Sequence, residues 1–229
     1  MYNRFFAFGC SFTLYKWPTW ADYLYAGGIA KQYENWALPG GSNDFILHSI
    51  AECDRQNTIA PDDIVCIMWS QPHRISDYDH SNGWQLLGNA YLYQPKERML
   101  YYSADKADIE TLTFTHIVNW LPCRVLQYSI EPLEDLHSMA EHLGYTKGHD
   151  SWKETLPGDR HPSPQEHRSF VGSLDLDLDT IVIDKLCSAA DNQIFNSRQP
   201  HRQTAIPYIE KHPNRKGGID VNKIQPFNW

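Results

Sequence analysis

The chain offers little of what disulfide, metal or membrane chemistry would need. Its five cysteines, Cys10, Cys53, Cys66, Cys123 and Cys187, are odd in number and widely spaced, and none forms a C-x-x-C pair. A zinc ribbon and a thioredoxin-like redox motif are thereby excluded. Cys10, Cys66 and Cys123 sit in or beside apolar runs, where cysteine behaves as a small hydrophobe, so reduced structural thiols are expected. No apolar run approaches the length of a membrane span, and no basic leader followed by an apolar segment opens the sequence. A soluble protein without a signal peptide, made in the cytoplasm and with no membrane partner, is the expectation. There is no H-E-x-x-H, no Walker A pattern and no G-x-G-x-x-G, so zinc-protease, P-loop and dinucleotide chemistry have no motif behind them. No cofactor and no metal are expected.

What is present is an ordinary globular composition. The 229 residues are 41% hydrophobic and 21% charged, enough for one α/β domain with an appendage and a core large enough to hold a preformed site. A net charge of -8 argues against a broad phosphate-binding face, so no nucleic-acid partner is expected. The last segment departs from this balance. From Asp191 to Trp229, six basic residues face three acidic ones, among Pro200, Pro207, Pro213, Pro226 and Gly217–Gly218. An extended basic tail after a helix reaching about Phe195 is expected, resting on the acidic body, on another copy of the chain or on an assembly partner. The boundary is drawn between 1–176, the main domain, and 177–229, the helix and tail.

Along the main domain, apolar runs alternate with helical patterns. Arg4–Phe8, "QYENWAL" (32–38), Ile64–Trp69 and "CRVLQYSI" (123–130) read as strands, and the continuous apolarity of Ile64–Trp69 suits a strand covered on both faces. "WPTWADYLYAGG" reads as a helix with Pro18 at its first position and Gly27–Gly28 at its end. Ser42 or Asn43 caps the next helix. Further helices are expected over about Asp108–Trp120, over "PLEDLHSMAEHLG" (132–144), and from Pro164 behind a Ser163 cap. This alternation predicts a three-layer α/β/α fold with a mainly parallel sheet. Ligands in such folds lie at the carboxyl ends of the strands. Ser11, Gly40 and Gln71 each fall just after a strand and are expected to meet there.

Those positions carry the chemistry. Acyl transfer by a serine needs a hydroxyl, a base, a group that orients the base, and donors for the oxyanion. Ser11 in "FFAFGCSFT" supplies the hydroxyl, on a turn that Gly9 makes sterically feasible. His161 in "GDRHPSPQEH" supplies the base and Asp159 the orienter. The backbone N–H groups of Ser11 and Gly40, with one side-chain amide, can meet the oxyanion. Each residue also has a plain reading: Ser11 and Thr13 as turn residues satisfying backbone N–H groups, His161 as a loop residue, Gly40–Gly41 as a turn.

Taken in order, "FGCSFT", "NWALPGGSN", a hydrophobic strand with a polar end, and "DRHP" resemble the SGNH (GDSL-type) hydrolase superfamily over about Arg4–Leu174. The resemblance implies a flavodoxin-like three-layer fold and a serine esterase. Ser11 would be its nucleophile, in Gly9–Cys10–Ser11 with Cys where the family has Asp. Gly40 would be an oxyanion donor, and Asp159 and His161 the rest of the triad. Two positions depart from the family pattern. Gln71, in "WSQPHR", stands nearest the family's oxyanion-hole Asn. The spacing is D-x-H rather than D-x-x-H. Family members act on acetylated sugars, lipids and other small esters, and the eight Trp and thirteen Tyr incline the reading toward O-acetyl groups on carbohydrate. Trp69, Trp84 and Tyr91, within the aromatic insertion 69–102, are assigned to substrate access.

The alternative is a domain that has lost catalysis and serves as a binding or assembly module through its tail. Geometry separates the two: a Ser11 hydroxyl within about 2.6–3.5 Å of a His161 ring nitrogen favours the enzyme. His73, Asp77, Asp79 and His80 have a metal-binding composition without a metal-binding spacing. The acidic run Asp175–Asp184 reads as a connection into the last helix rather than a calcium loop.

Overall fold

The computed structural model describes residues 1–79, 83–89, 104–133, 135–145, 155 and 159–197; for 77–79, 83–89, 104–108 and 195–197 only the backbone is described. The tail from 198 onward and Tyr91 therefore lie outside the described residues.

The apolar runs read from the sequence form the centre of the molecule. Strands β1 (Tyr2–Phe8), β2 (Ala30–Asn35), β3 (Ile64–Trp69), β6 (Arg124–Ser129) and the two-residue β7 (His137–Ser138) make one parallel sheet in the order β2-β1-β3-β6-β7. Strands β4 (Arg74–Asp79) and β5 (Gly83–Asn89) form a separate antiparallel pair. Six α-helices accompany them among the described residues: α1 (Trp20–Ala26), α2 (Asn43–Asn57), α3 (Ala104–Ile117), α4 (Met139–His142), α5 (Pro164–Gly172) and α6 (Thr180–Ser197). The architecture is the three-layer α/β/α fold with a parallel sheet.

The two-residue period of a strand divides the core into two halves. Phe5 and Ala7 of β1 and Ile64, Cys66 and Met68 of β3 pack with Trp20, Tyr23, Leu24, Phe170, Val171 and Ile183, so α1, α5 and α6 cover this face. Phe6, Phe8, Val65, Ile67 and Trp69 point the other way and pack with Phe45, Ile46, Ile50 and Cys53 of α2. The continuous apolarity of β3 follows from helices on both sides, and all six of its residues are buried. All five cysteines are free thiols, and burial pushes Cys123 up to about 11.

Helix ends follow local chemistry. The Ser42 hydroxyl accepts from the Phe45 N–H to cap α2, and Ser163 with Glu166 forms a capping box that starts α5 at Pro164. The Asp179 carboxylate accepts from the Ile181 and Val182 N–H groups, so the acidic run ends as the cap of α6. Pro18 is not the first helical residue. Thr19 takes the cap, with its N–H donated to Asp22, and α1 opens at Trp20. Nor does 132–144 form a long helix, since His137–Ser138 pairs with Tyr128–Ser129 and leaves α4 only four residues. No helix among the described residues is long and apolar enough to cross a membrane.

Candidate functional site

The carboxyl ends of β1, β2 and β3 lead into the Ser11 turn, the Pro39–Gly40 turn and Gln71. After Phe8 the chain turns at once: the Thr13 and Leu14 N–H groups both donate to the Cys10 carbonyl, at 3.0 and 3.1 Å, which sets Ser11 on the turn. Gly9 is required there on steric grounds. A Cβ at that position would lie 2.0 Å from Thr13 Oγ1 and 3.1 Å from the Met68 carbonyl of β3. The β2 exit is tied to the same place, with Trp36 N–H donating to the Ala7 carbonyl and Leu38 N–H to the Gly9 carbonyl. Asn35 Nδ2 reaches over to the Thr13 carbonyl at 2.9 Å and fixes the turn from the side.

Pro39 and Gly40 occupy the middle of a turn closed by Gly41 N–H to the Leu38 carbonyl, and Gly40 has φ 86°. Proline first and glycine second is the pairing such a turn demands, because only the second residue takes positive φ. Among the described residues, neither the Ser11 nor the Gly40 N–H donates to a backbone carbonyl.

The third component arrives from the far end of the domain. His161 Nε2 lies 2.9 Å from Ser11 Oγ, and His161 Nδ1 lies 2.8 Å from Asp159 Oδ1. An ionised carboxylate has no proton to donate, so the single proton of a neutral imidazole resides on Nδ1. Nε2 is then left as an acceptor facing the serine hydroxyl. The D-x-H spacing suffices for this because Asp159 Oδ1 also accepts the His161 backbone N–H at 3.2 Å, which curls the two side chains together. Ser11 is 4% exposed, while the His161 side chain keeps 25% of its surface open.

Electrostatics agree with this arrangement. Burial works to raise the Asp159 carboxyl, yet hydrogen bonds from His161 and Tyr15 overcome it and hold the group well below the usual carboxylate range. Burial lowers the His161 imidazole below its ordinary 6.5, against the opposing pull of Asp159, and the charges of Arg74 and Lys16 add to the lowering. The imidazole is therefore neutral at pH 7 and able to take a proton from Ser11.

Several supports were not among the site residues expected from the sequence. Tyr15 stacks on the His161 ring with centroids 3.8 Å apart, and its hydroxyl donates to Asp159 Oδ2 at 2.6 Å. Lys16 Nζ is 3.3 Å from the same oxygen. Trp17 Nε1 donates to the Pro162 carbonyl at 2.8 Å, which pins the histidine loop to the serine loop. The one available cue was proximity, since Tyr15, Lys16 and Trp17 follow Ser11 within six residues.

Gln71 stands at the carboxyl end of β3, 1% exposed, and its Nε2 donates to Glu131 Oε1 at 2.6 Å. Trp69, in contrast, does not line an entrance. It is 0% exposed, packed in the α2 half of the core with Nε1 donated to Gln127, because its position on β3 points it beneath the sheet. Trp84 falls on β5, where only the backbone is described. Asp77 and Asp79 fall on β4, and His80 lies outside the described residues. Among the described residues no group of three His, Cys, Asp or Glu stands where it could hold a metal ion. Compared with known proteins, the sequence matches no family model and no curated protein.

Proposed function

We propose that this protein is a serine ester hydrolase of the SGNH kind. The observation that carries the reading is the unbroken relay from Ser11 Oγ through His161 to Asp159, at 2.9 and 2.8 Å. The Ser11–His161 distance falls inside the range that separates an enzyme from a domain that has lost catalysis. The Gly9–Cys10–Ser11 turn, the Pro39–Gly40 turn and the Asp159–His161–Pro162 loop fit the family resemblance.

In the first half-reaction, Ser11 Oγ attacks the acyl carbon as its proton passes to His161 Nε2. The C–O bond to the alcohol breaks, and the leaving alkoxide takes that proton. A water molecule then loses a proton to His161 and attacks the acyl-serine. Ser11 recovers its proton and the carboxylic acid departs. Asp159 holds the imidazole in the correct tautomer and stabilises the imidazolium formed twice in the cycle. The N–H groups of Ser11 and Gly40 and the Gln71 amide are assigned to the oxyanion. O-acetyl groups on carbohydrate are the proposed substrates.

Intact mass after treatment with a fluorophosphonate tests the reading. Native protein is expected to gain one phosphonyl adduct with loss of fluoride, and Ser11→Ala none. A folded native protein that gains no adduct would remove the hydrolase reading. Hydrolysis of acetylated sugars by native protein, lost in Ser11→Ala, tests the substrate class.

A further inference from the structure

The Gln71 amide is one methylene longer than the asparagine that the family resemblance places here. An added torsion gives the donor more orientations to lose when it meets an oxyanion. Something must hold it, and the strand beyond supplies the holder. In the β3–β6 register Trp69 pairs with Ser129, and Ile130 N–H donates to the Trp69 carbonyl, so the ladder continues past both strands. Two residues on, Gln71 and Glu131 stand side by side, Nε2 to Oε1 2.6 Å, at 1% and 8% exposure. On its other side β3 pairs with β1, Ile67 against Phe8, so the segments carrying Gln71 and Ser11 leave the sheet from neighbouring strands.

We propose that Glu131 is a positioning residue for the oxyanion hole: its carboxylate fixes the Gln71 amide and thereby directs the second Nε2 proton to the oxyanion. This rests on the hydrolase reading above. The chemistry is one-sided. A carboxylate accepts only, so the Gln71 NH₂ must face Glu131 and its carbonyl oxygen must face away. One N–H is committed to the carboxylate, and the other is left in a plane and direction set by the first. Burial strengthens the charge-assisted bond that does this. A glutamine at 131 would lose the constraint, since its own NH₂ can donate to Gln71 Oε1 and turn the amide over.

The test is the rate at which a fluorophosphonate labels Ser11, because the phosphonyl oxygen occupies the oxyanion hole. Native protein, E131Q, Q71A and the double variant E131Q/Q71A are compared, with melting temperatures measured beside them. Loss of one oxyanion donor costs roughly 100- to 1,000-fold in acyl-transfer enzymes, so Q71A should be slower by a factor approaching that range. E131Q should slow labelling at least tenfold on the native background and not at all on the Q71A background. Labelling of E131Q at the native rate, or equal slowing on both backgrounds, overturns the proposal while leaving the hydrolase reading intact. A native protein that does not label overturns both.

One measurement needs no variant at position 131. In ¹⁵N-labelled native protein, phosphonylation of Ser11 should shift the Gln71 side-chain proton that is not bound to Glu131. If neither Nε2 proton moves, Gln71 does not meet the oxyanion and the proposal falls.

Discussion

Tyr15 touches both partners of the relay, and its two contacts act in different ways. The ring supports the His161 imidazole from below, while the hydroxyl draws charge from Asp159 Oδ2. Removing only the hydroxyl isolates the second effect. In Tyr15→Phe the carboxylate loses a donor, becomes a stronger acceptor for His161 and favours the imidazolium. On the proposed hydrolase reading, the acid limb of kcat/KM for an acetyl ester reports the His161 titration in the free protein. In native protein its midpoint should lie below 6.5, because burial lowers the imidazole. In Tyr15→Phe it should move upward toward 6.5, with the ring stack keeping the fold. A native midpoint above 6.5, or a downward shift in the variant, would contradict this account. Asp159→Asn should be far more severe. It removes the acceptor that fixes the Nδ1–H tautomer, for which losses of about ten-thousandfold in kcat are known in comparable triads.

Elements with strong local chemistry were legible in the sequence. β3 is apolar throughout and β1 from Phe5 to Phe8, and they end at Ser70 and Gly9; the turn at Pro39–Gly40 has the residues that turn requires, and Ser163–Pro164 announces a helix. Ser11 follows β1, Gly40 lies in that turn, and His161 stands two residues before the Ser163 cap, so each could be singled out from its local setting. Two elements were hidden because distant partners decide them. Leu133, Leu136, Met139, Ala140 and Leu143 have helical spacing, yet the open edge of β6 takes His137–Ser138 as a strand and confines the helix to one turn. The β4–β5 ribbon bulges between Ile75 and Ser76 and is held to α2 by the Ser42 N–H donating to Ser76 Oγ, neither of which a local pattern reveals. Trp69 was misread for a related reason, since an aromatic near a rim can belong to the layer beneath it.

The cross-links between elements are testable in the same terms. Asn43, at the start of α2, accepts the Ser70 N–H through Oδ1 and donates Nδ2 to the Ser70 carbonyl and Thr111 Oγ1. Asn43→Ala would strand buried backbone groups at the very end of β3, at a cost of roughly 1–3 kcal/mol for each one left unsatisfied. Urea unfolding should show this loss, and an unchanged midpoint would mean that the Ser70 groups find other partners.

For the whole molecule, a buried histidine outside the relay is expected to weaken the fold in acid. His167 on α5 is fully buried, and neither ring nitrogen has a hydrogen-bond partner among the described residues. Burial pushes its imidazole down to about 3, with a further small lowering from His161. The unfolded chain binds a proton at this residue near 6.5, whereas the folded chain does not until about 3. The stability due to a neutral His167 is therefore complete above pH 6.5. It is lost as pH falls through the window from 6.5 to about 3, with a slope approaching 1.4 kcal/mol per pH unit in its steep part. His161, also lowered, adds to the slope in the upper part of that window, and Asp159 adds its own loss only below about 4, the ordinary carboxylate range. His167→Leu separates these contributions, because it removes both the proton site and two unpartnered buried nitrogens. Urea unfolding at pH 7 and pH 5 should show a markedly smaller fall in stability for the variant than for the native protein. Its labelling by fluorophosphonate at pH 7 should stay near the native rate, since the relay is untouched. Equal falls in the two proteins would show that His167 is protonated or solvated in the folded state, and acid lability would then have to originate in the Ser11–His161–Asp159 site itself.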